Sequence, residues 1–192
     1  MAKVNNDHKG KKKKGGGSFL ILLVVLVFTA YHFWGGSDEK SAVKNVITDR
    51  SIPMEERITS AFKEALGESK TKNNFSVKVL DYGLEVRYRI SDGFSSSWMR
   101  KGVYKDTAEL MEKVKIFNKE RKELGKPEFN LNVIGTFPLT KIKTGKEFEG
   151  EVIKILILPE AIDGWIKEGQ VFDFNLVPDI ADYLWLHPTM KD

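Results

Sequence analysis

The chain has 192 residues, a formal charge of +4 and no cysteine, which excludes disulfide frameworks, thiol nucleophiles, cysteine zinc sites and lipid-modified cysteines. The positive charge is local. Six of the 31 basic residues but one of the 27 acidic residues precede Phe19, so the remainder carries 25 basic against 26 acidic side chains. A body this close to neutral argues against nucleic acid as a partner, because nucleic-acid-binding domains gather Lys and Arg on their own surface.

Residues 1–17 form a basic tail containing Lys11, Lys12, Lys13 and Lys14, and they run directly into an apolar stretch. Phe19 to Phe28 is continuously apolar and favours a membrane by about −3 to −6 kcal/mol on insertion scales. Tyr31, His32, Phe33 and Trp34 follow as an aromatic cluster suited to the headgroup level. A helix over residues 18–34 would cover about 26 Å, close to the roughly 30 Å hydrocarbon core, with lysines and interfacial aromatics absorbing the mismatch. Lys11 to Lys14 on one side and Tyr31 and Trp34 on the other are the expected membrane-interface residues. A secretory signal is the competing expectation. Cleavage after Ala30 would place bulky Phe28 at the minus-three position, and the small residues before a cut after Ser37 come only beyond the bulky cluster. A retained single-pass anchor is therefore expected. The lysines hold the N-terminus in the cytoplasm and the C-terminal domain is extracytoplasmic. The lipid bilayer is the first expected partner.

Residues 35–50 are polar and are expected to link the anchor to an exported domain spanning 51–192. After Pro53, Met54, Ile58, Phe62, Ala65 and Leu66 recur at helical spacing until Gly67. Phe75-Ser-Val-Lys-Val-Leu80 and Leu84-Glu-Val-Arg-Tyr-Arg-Ile90 alternate as strands, with Asp81 to Gly83 as the turn between them. A second helix is expected over 107–124, with Leu110, Met111, Val114, Phe117 and Leu124 inward and Gly125 and Pro127 ending it. Strands over 129–139 and 151–159 follow, joined through a turn at Thr144, Gly145 and Lys146. The second of them is apolar on both faces and is expected inside the sheet. A short helix is expected from Pro159, an edge strand over 171–177, and a final helix after Pro178 covering 179–187.

The order helix-strand-strand repeats twice and closes on a helix. The fold class that follows is α+β: a two-layer sandwich with an antiparallel four-stranded sheet, a fifth strand at its edge, and helices on one face. The repetition carries no sequence identity between its halves.

Chemistry-bearing patterns are sparse. His187 is the one histidine beyond the aromatic cluster and lies near a chain end, where it is expected to finish a helix. Asp179 follows Pro178 and suits a helix N-terminus, and Asp182 shares its face three residues on. Glu109 with Glu112 and Glu149 with Glu151 are expected as solvated surface pairs, and Asn74-Phe75-Ser76 is formally a glycosylation sequon. No catalytic set, metal site or cofactor is expected.

One stretch stands apart. Ser91 to Gly102 (SDGFSSSWMRKG) gathers Phe94, Trp98, Met99, Arg100 and Lys101 among small polar residues, a composition typical of contact surfaces. These five are the expected ligand or partner contacts, with Trp98 itself leaning toward packing on the domain and Arg100 and Lys101 pointing outward. The chain is thus expected to be a membrane-anchored protein whose exported domain binds a protein or envelope ligand and is not an enzyme. The alternatives are a small hydrolase-like enzyme, secreted or anchored, and a structural, envelope-stabilising protein.

Overall fold

The structure, a computed structural model, describes residues 46–167 and 170–191, all within one compact unit that begins at Val43. The tail lysines Lys11 to Lys14, the apolar segment over 18–34 and its aromatics Tyr31 and Trp34 lie outside the described residues. No helix among the described residues is long and apolar enough to cross a membrane.

The fold is α+β with a five-stranded sheet in the order β1-β2-β3-β4-β5. Helix α1 covers Met54–Leu66 and stops at Gly67, whose φ of 76° takes the chain out of the helix as only glycine does freely. A single turn, α2 (Glu68–Thr71), leads to β1 (Ser76–Leu80), which pairs antiparallel with β2 (Gly83–Arg89). Helix α3 (Ser96–Glu123) then runs the length of the sheet, and β3 (Asn130–Thr140) begins beside the start of β2. β4 (Glu147–Ile157) returns antiparallel to β3, and α4 (Pro159–Trp165) follows. A 3-10 turn at Phe174–Leu176, the short α5 (Val177–Ile180), β5 (Tyr183–Leu186) and a last 3-10 turn at Pro188–Met190 complete the chain.

Three expectations are corrected. First, the sheet is mixed, because β2 and β3 are parallel. At 1.5 Å per residue the 28 residues of α3 cover about 42 Å, so the helix carries the chain back to where β2 began. A strand following such a crossover runs parallel to the one before it. Second, residues 171–177 form no edge strand. Third, the expected last helix survives only as α5, and Tyr183–Leu186 is the fifth strand, paired with Ile153 to Leu156. Tyr-Leu-Trp-Leu suits a pleated, half-buried surface better than a helix. Asp182 ends the preceding turn: its amide donates to the Leu156 carbonyl and its carboxylate accepts from the Leu158 amide.

The core lies between one sheet face and the helices. Leu84, Val86 and Tyr88 of β2, Leu131 and Val133 of β3, and Ile153, Ile155 and Ile157 of β4 meet Ile58 and Phe62 of α1 and Leu110, Met111, Val114 and Phe117 of α3. Gly135 is required at its position because a Cβ there would stand 2.5 Å from Ile153 and 2.7 Å from Ile90. Ile47 is also buried, so part of the stretch expected as linker packs into the domain.

Candidate interaction surface

The antiparallel course of α1 and α3 along the sheet gives the domain two ends of different chemistry. At one end, the guanidinium of Arg57 in α1 is buried against Glu120 of α3, donating to both carboxylate oxygens at 2.7 and 2.8 Å. The same group donates to the carbonyls of Ile47 and Ile52 and lies over the ring of Phe117. It therefore ties the incoming chain to both helices. Asn118 exchanges two hydrogen bonds with the backbone of Phe129, mimicking a strand neighbour just before β3 starts. Arg121 lies 3.8 Å over the Phe129 ring and donates to the carbonyls of Asp81 and Pro127. Through Arg57 the Glu120 carboxyl is held below the ordinary glutamate range, the hydrogen bond being the main cause.

Midway along the helices, Asp106 of α3 is buried and accepts from the Tyr88 hydroxyl at 3.0 Å and from the Lys70 ammonium. Burial pushes the Asp106 carboxyl up against the opposing pull of Lys70, and pushes the Tyr88 phenol well above its ordinary value. Both carboxylate oxygens are engaged, so the cluster joins α2, α3 and β2. The sheet face away from the helices is likewise occupied with itself. Arg87, Ile134, Lys154 and Trp185 align across four strands. Glu151 pairs with both Arg87 and Lys154, whose ammonium in turn lies over the Trp185 ring. Ile134, beneath these side chains, is 4% exposed.

The other end is built around the start of α3. Ser95 is extended, with φ −153° and ψ 159°, and its hydroxyl accepts from the Trp98 amide at 3.3 Å. This is a serine N-cap. It starts the helix eleven residues earlier than the expected Thr107. With the helix extended back to Ser96, the buried stripe of Leu110 and Val103 continues to Met99, which is half-buried. Trp98 falls on the opposite side with Lys101 and Lys105 and is 69% exposed; Phe94, just before the cap, is fully exposed. The lean toward packing for Trp98 is therefore corrected, and the cause is the helical phase of α3. Arg100 is corrected in the other direction. Its guanidinium turns inward to the carbonyl of Met190, tying α3 to the last 3-10 turn, while Lys101 remains exposed. His187 also serves that turn, its Nδ1 accepting from the Thr189 amide. Asp179 lies in the first turn of α5, and Asp182 is committed to the Leu158 amide. Among the described residues, no group of three or more His, Asp or Glu is placed to hold a metal ion.

The same end carries residues that sequence reasoning passed over. β2 stops beside Thr136, and β5 pairs no further than Ile153, so Phe137 to Thr140 pair only with Glu147 to Gly150. The result is a two-stranded arm that continues past the end of the sheet where Ser91 to Ser95 leave β2. Its tip presents Lys141, fully exposed Ile142, Lys143 and Lys146, and Phe148 is partly exposed below. The signal available in the sequence was an isoleucine set between lysines next to the turn at Gly145, whose φ is 64°. Comparison with protein-family models, curated proteins and solved structures finds no match to this chain.

Proposed function

We propose that this protein is a single-pass membrane protein whose extracytoplasmic α+β domain acts by binding through the end that carries Phe94, Trp98 and Lys101. In this reading residues 18–34 are the anchor, the basic tail is cytoplasmic, and the partner is a component of the cell envelope. The observation that carries it is Trp98, 69% exposed on a regular, capped helix. Tryptophan is highly buried on average, and an exposed one beside an exposed Phe94 forms the kind of aromatic anchor that dominates contact energetics. The geometry around it agrees. Ile47 is held by Arg57 beside Glu120, and at 1.5 Å per residue α3 sets Glu120 about 33 Å from Trp98, so the aromatic end is separate from the buried arginine cluster.

Site-specific crosslinking tests this. The chain has no cysteine, so Lys105→Cys, one turn from Lys101 on the same exposed side, accepts a single benzophenone label. In membranes of cells expressing the full chain, that label should form defined adducts. A label at Leu124→Cys, which the structure leaves exposed at the opposite end and not inward as its spacing suggested, should form none. Adding Trp98→Ala should weaken adduct formation roughly 30-fold, the effect of losing a contact of about 2 kcal/mol. Equal labelling from both ends, or adducts that survive Trp98→Ala, would remove the assignment.

A further inference from the structure

We propose that the β3–β4 arm is a contact device for an anionic lipid surface, with Ile142 entering the headgroup layer and Lys141, Lys143 and Lys146 neutralising the lipid charge. This deepens the assignment of the aromatic end by naming a class of partner, and it rests on that assignment. The first argument is position. The arm, Phe94 and Trp98 leave the same end of the sheet, and the arm reaches furthest: from Phe137 to Lys141 it gains about 13–14 Å at 3.2–3.4 Å per residue. Ile142 at its tip is fully exposed, with no internal packing to account for an aliphatic side chain there.

The second argument is composition. The tip is rich in lysine, and the one arginine of the neighbouring segment, Arg100, is turned inward to Met190. Protein interfaces favour arginine and are depleted of lysine. Lysines near an anionic membrane each contribute about 1 kcal/mol, and large apolar side chains beside them suit the boundary between headgroups and acyl chains. Single-stranded nucleic acid would require aromatic faces on which bases stack. An isoleucine offers none, and the aromatics of this end lie back from the tip. Phe148 is already engaged, its ring lying under the Lys141 ammonium at 5.5 Å.

The third argument is the order of charge along the arm. At the arm, the acidic residues Glu147 and Glu149 sit on the strand below the tip and are exposed. Positive charge is thus foremost, as a surface meeting anionic headgroups requires.

The test uses the full chain held in phosphatidylcholine nanodiscs, labelled with an environment-sensitive fluorophore at Thr144→Cys, which leaves Ile142 and the lysines in place. Vesicles rich in phosphatidylglycerol should shift the emission to the blue and allow quenching by nitroxide lipids. Phosphatidylcholine vesicles and inorganic phosphate should do neither. Raising the salt should weaken the response. Replacing Lys141, Lys143 and Lys146 together by Ala should lower vesicle affinity on the order of 100-fold, about fivefold per lysine. Ile142→Ser should abolish the nitroxide quenching while leaving a salt-sensitive association. A label that ignores anionic vesicles, or responds equally to phosphatidylcholine, overturns the lipid assignment. So does a label that responds only to an added polynucleotide or a protein fraction. If the Lys105 crosslinks persist while the arm label stays silent, the contact surface stands and the lipid does not. If both are silent, both fall.

Discussion

At the end of the domain where Ile47 is buried, two arginines are drawn out of water and bonded within the domain: Arg57 on Glu120 and two carbonyls, Arg121 on two carbonyls and an aromatic ring. At the other end the lysines of the arm stand in solvent beside an exposed isoleucine, and a tryptophan and a phenylalanine are left uncovered. A buried charge must find partners inside the protein, because desolvation costs several kcal/mol per ion. An exposed charge next to exposed apolar area has no such requirement, and in the function proposed above its partner is external. The first end is cohesive, and the second leaves apolar side chains and lysines in solvent, which is the basis of the contact role proposed for it. What separates them is where charge has been desolvated, not how much charge there is.

The largest test of that contrast is Arg57→Ala. Leaving Glu120 buried without its partner should destabilise the domain by about 3–5 kcal/mol, read from denaturant melts of the full chain followed by tryptophan fluorescence. A loss below about 1 kcal/mol, the range of exposed ion pairs, would mean the two ends do not differ in kind.

Acid sharpens the contrast through Glu120. Its folded-state carboxyl is held below the ordinary value of 4.5, so its contribution to stability is present above that value and is lost as pH falls through the lowered one. Asp106 has the opposite sign: burial raises its carboxyl above 3.8, so its contribution is present at low pH and is lost as pH rises through the raised value. Glu120→Gln should therefore flatten the acid side of the stability profile relative to wild type, while leaving the Asp106 slope in place. A wild-type profile that Glu120→Gln does not alter would show that the Arg57 pair contributes no pH-dependent stability.

The smallest expected effect is at the contact end. Trp98→Ala should move the unfolding free energy by no more than about 0.5 kcal/mol, as an exposed side chain does. A packed tryptophan would cost about 3–5 kcal/mol. The near-zero result, set beside a large loss for Arg57→Ala, is the outcome that separates the two ends most directly.

Local pattern alone determined much of this domain. The helical spacing of Met54, Ile58, Phe62 and Leu66 ended at Gly67, and the alternation in β1 and β2 placed Leu84, Val86 and Tyr88 on one face. Both patterns arise from side chains a few residues apart, and the structure keeps them. The composition of Ser91 to Gly102 likewise marked the stretch that holds Trp98. Which of its residues face water did not follow from composition. That depended on the phase of a helix begun by the Ser95 cap, and on a carbonyl at Met190, 90 residues on from Arg100. The parallel pairing of β2 with β3 was decided by the length of α3. The conversion of Tyr183–Leu186 from expected helix to strand was decided by the vacant edge of β4. The arm exists because two neighbouring strands stop short of it. Each of these depends on groups far apart in the chain meeting in space. Residue spacing sets which face of an element is apolar, but the partner that covers the face, or leaves it bare, belongs to the tertiary structure.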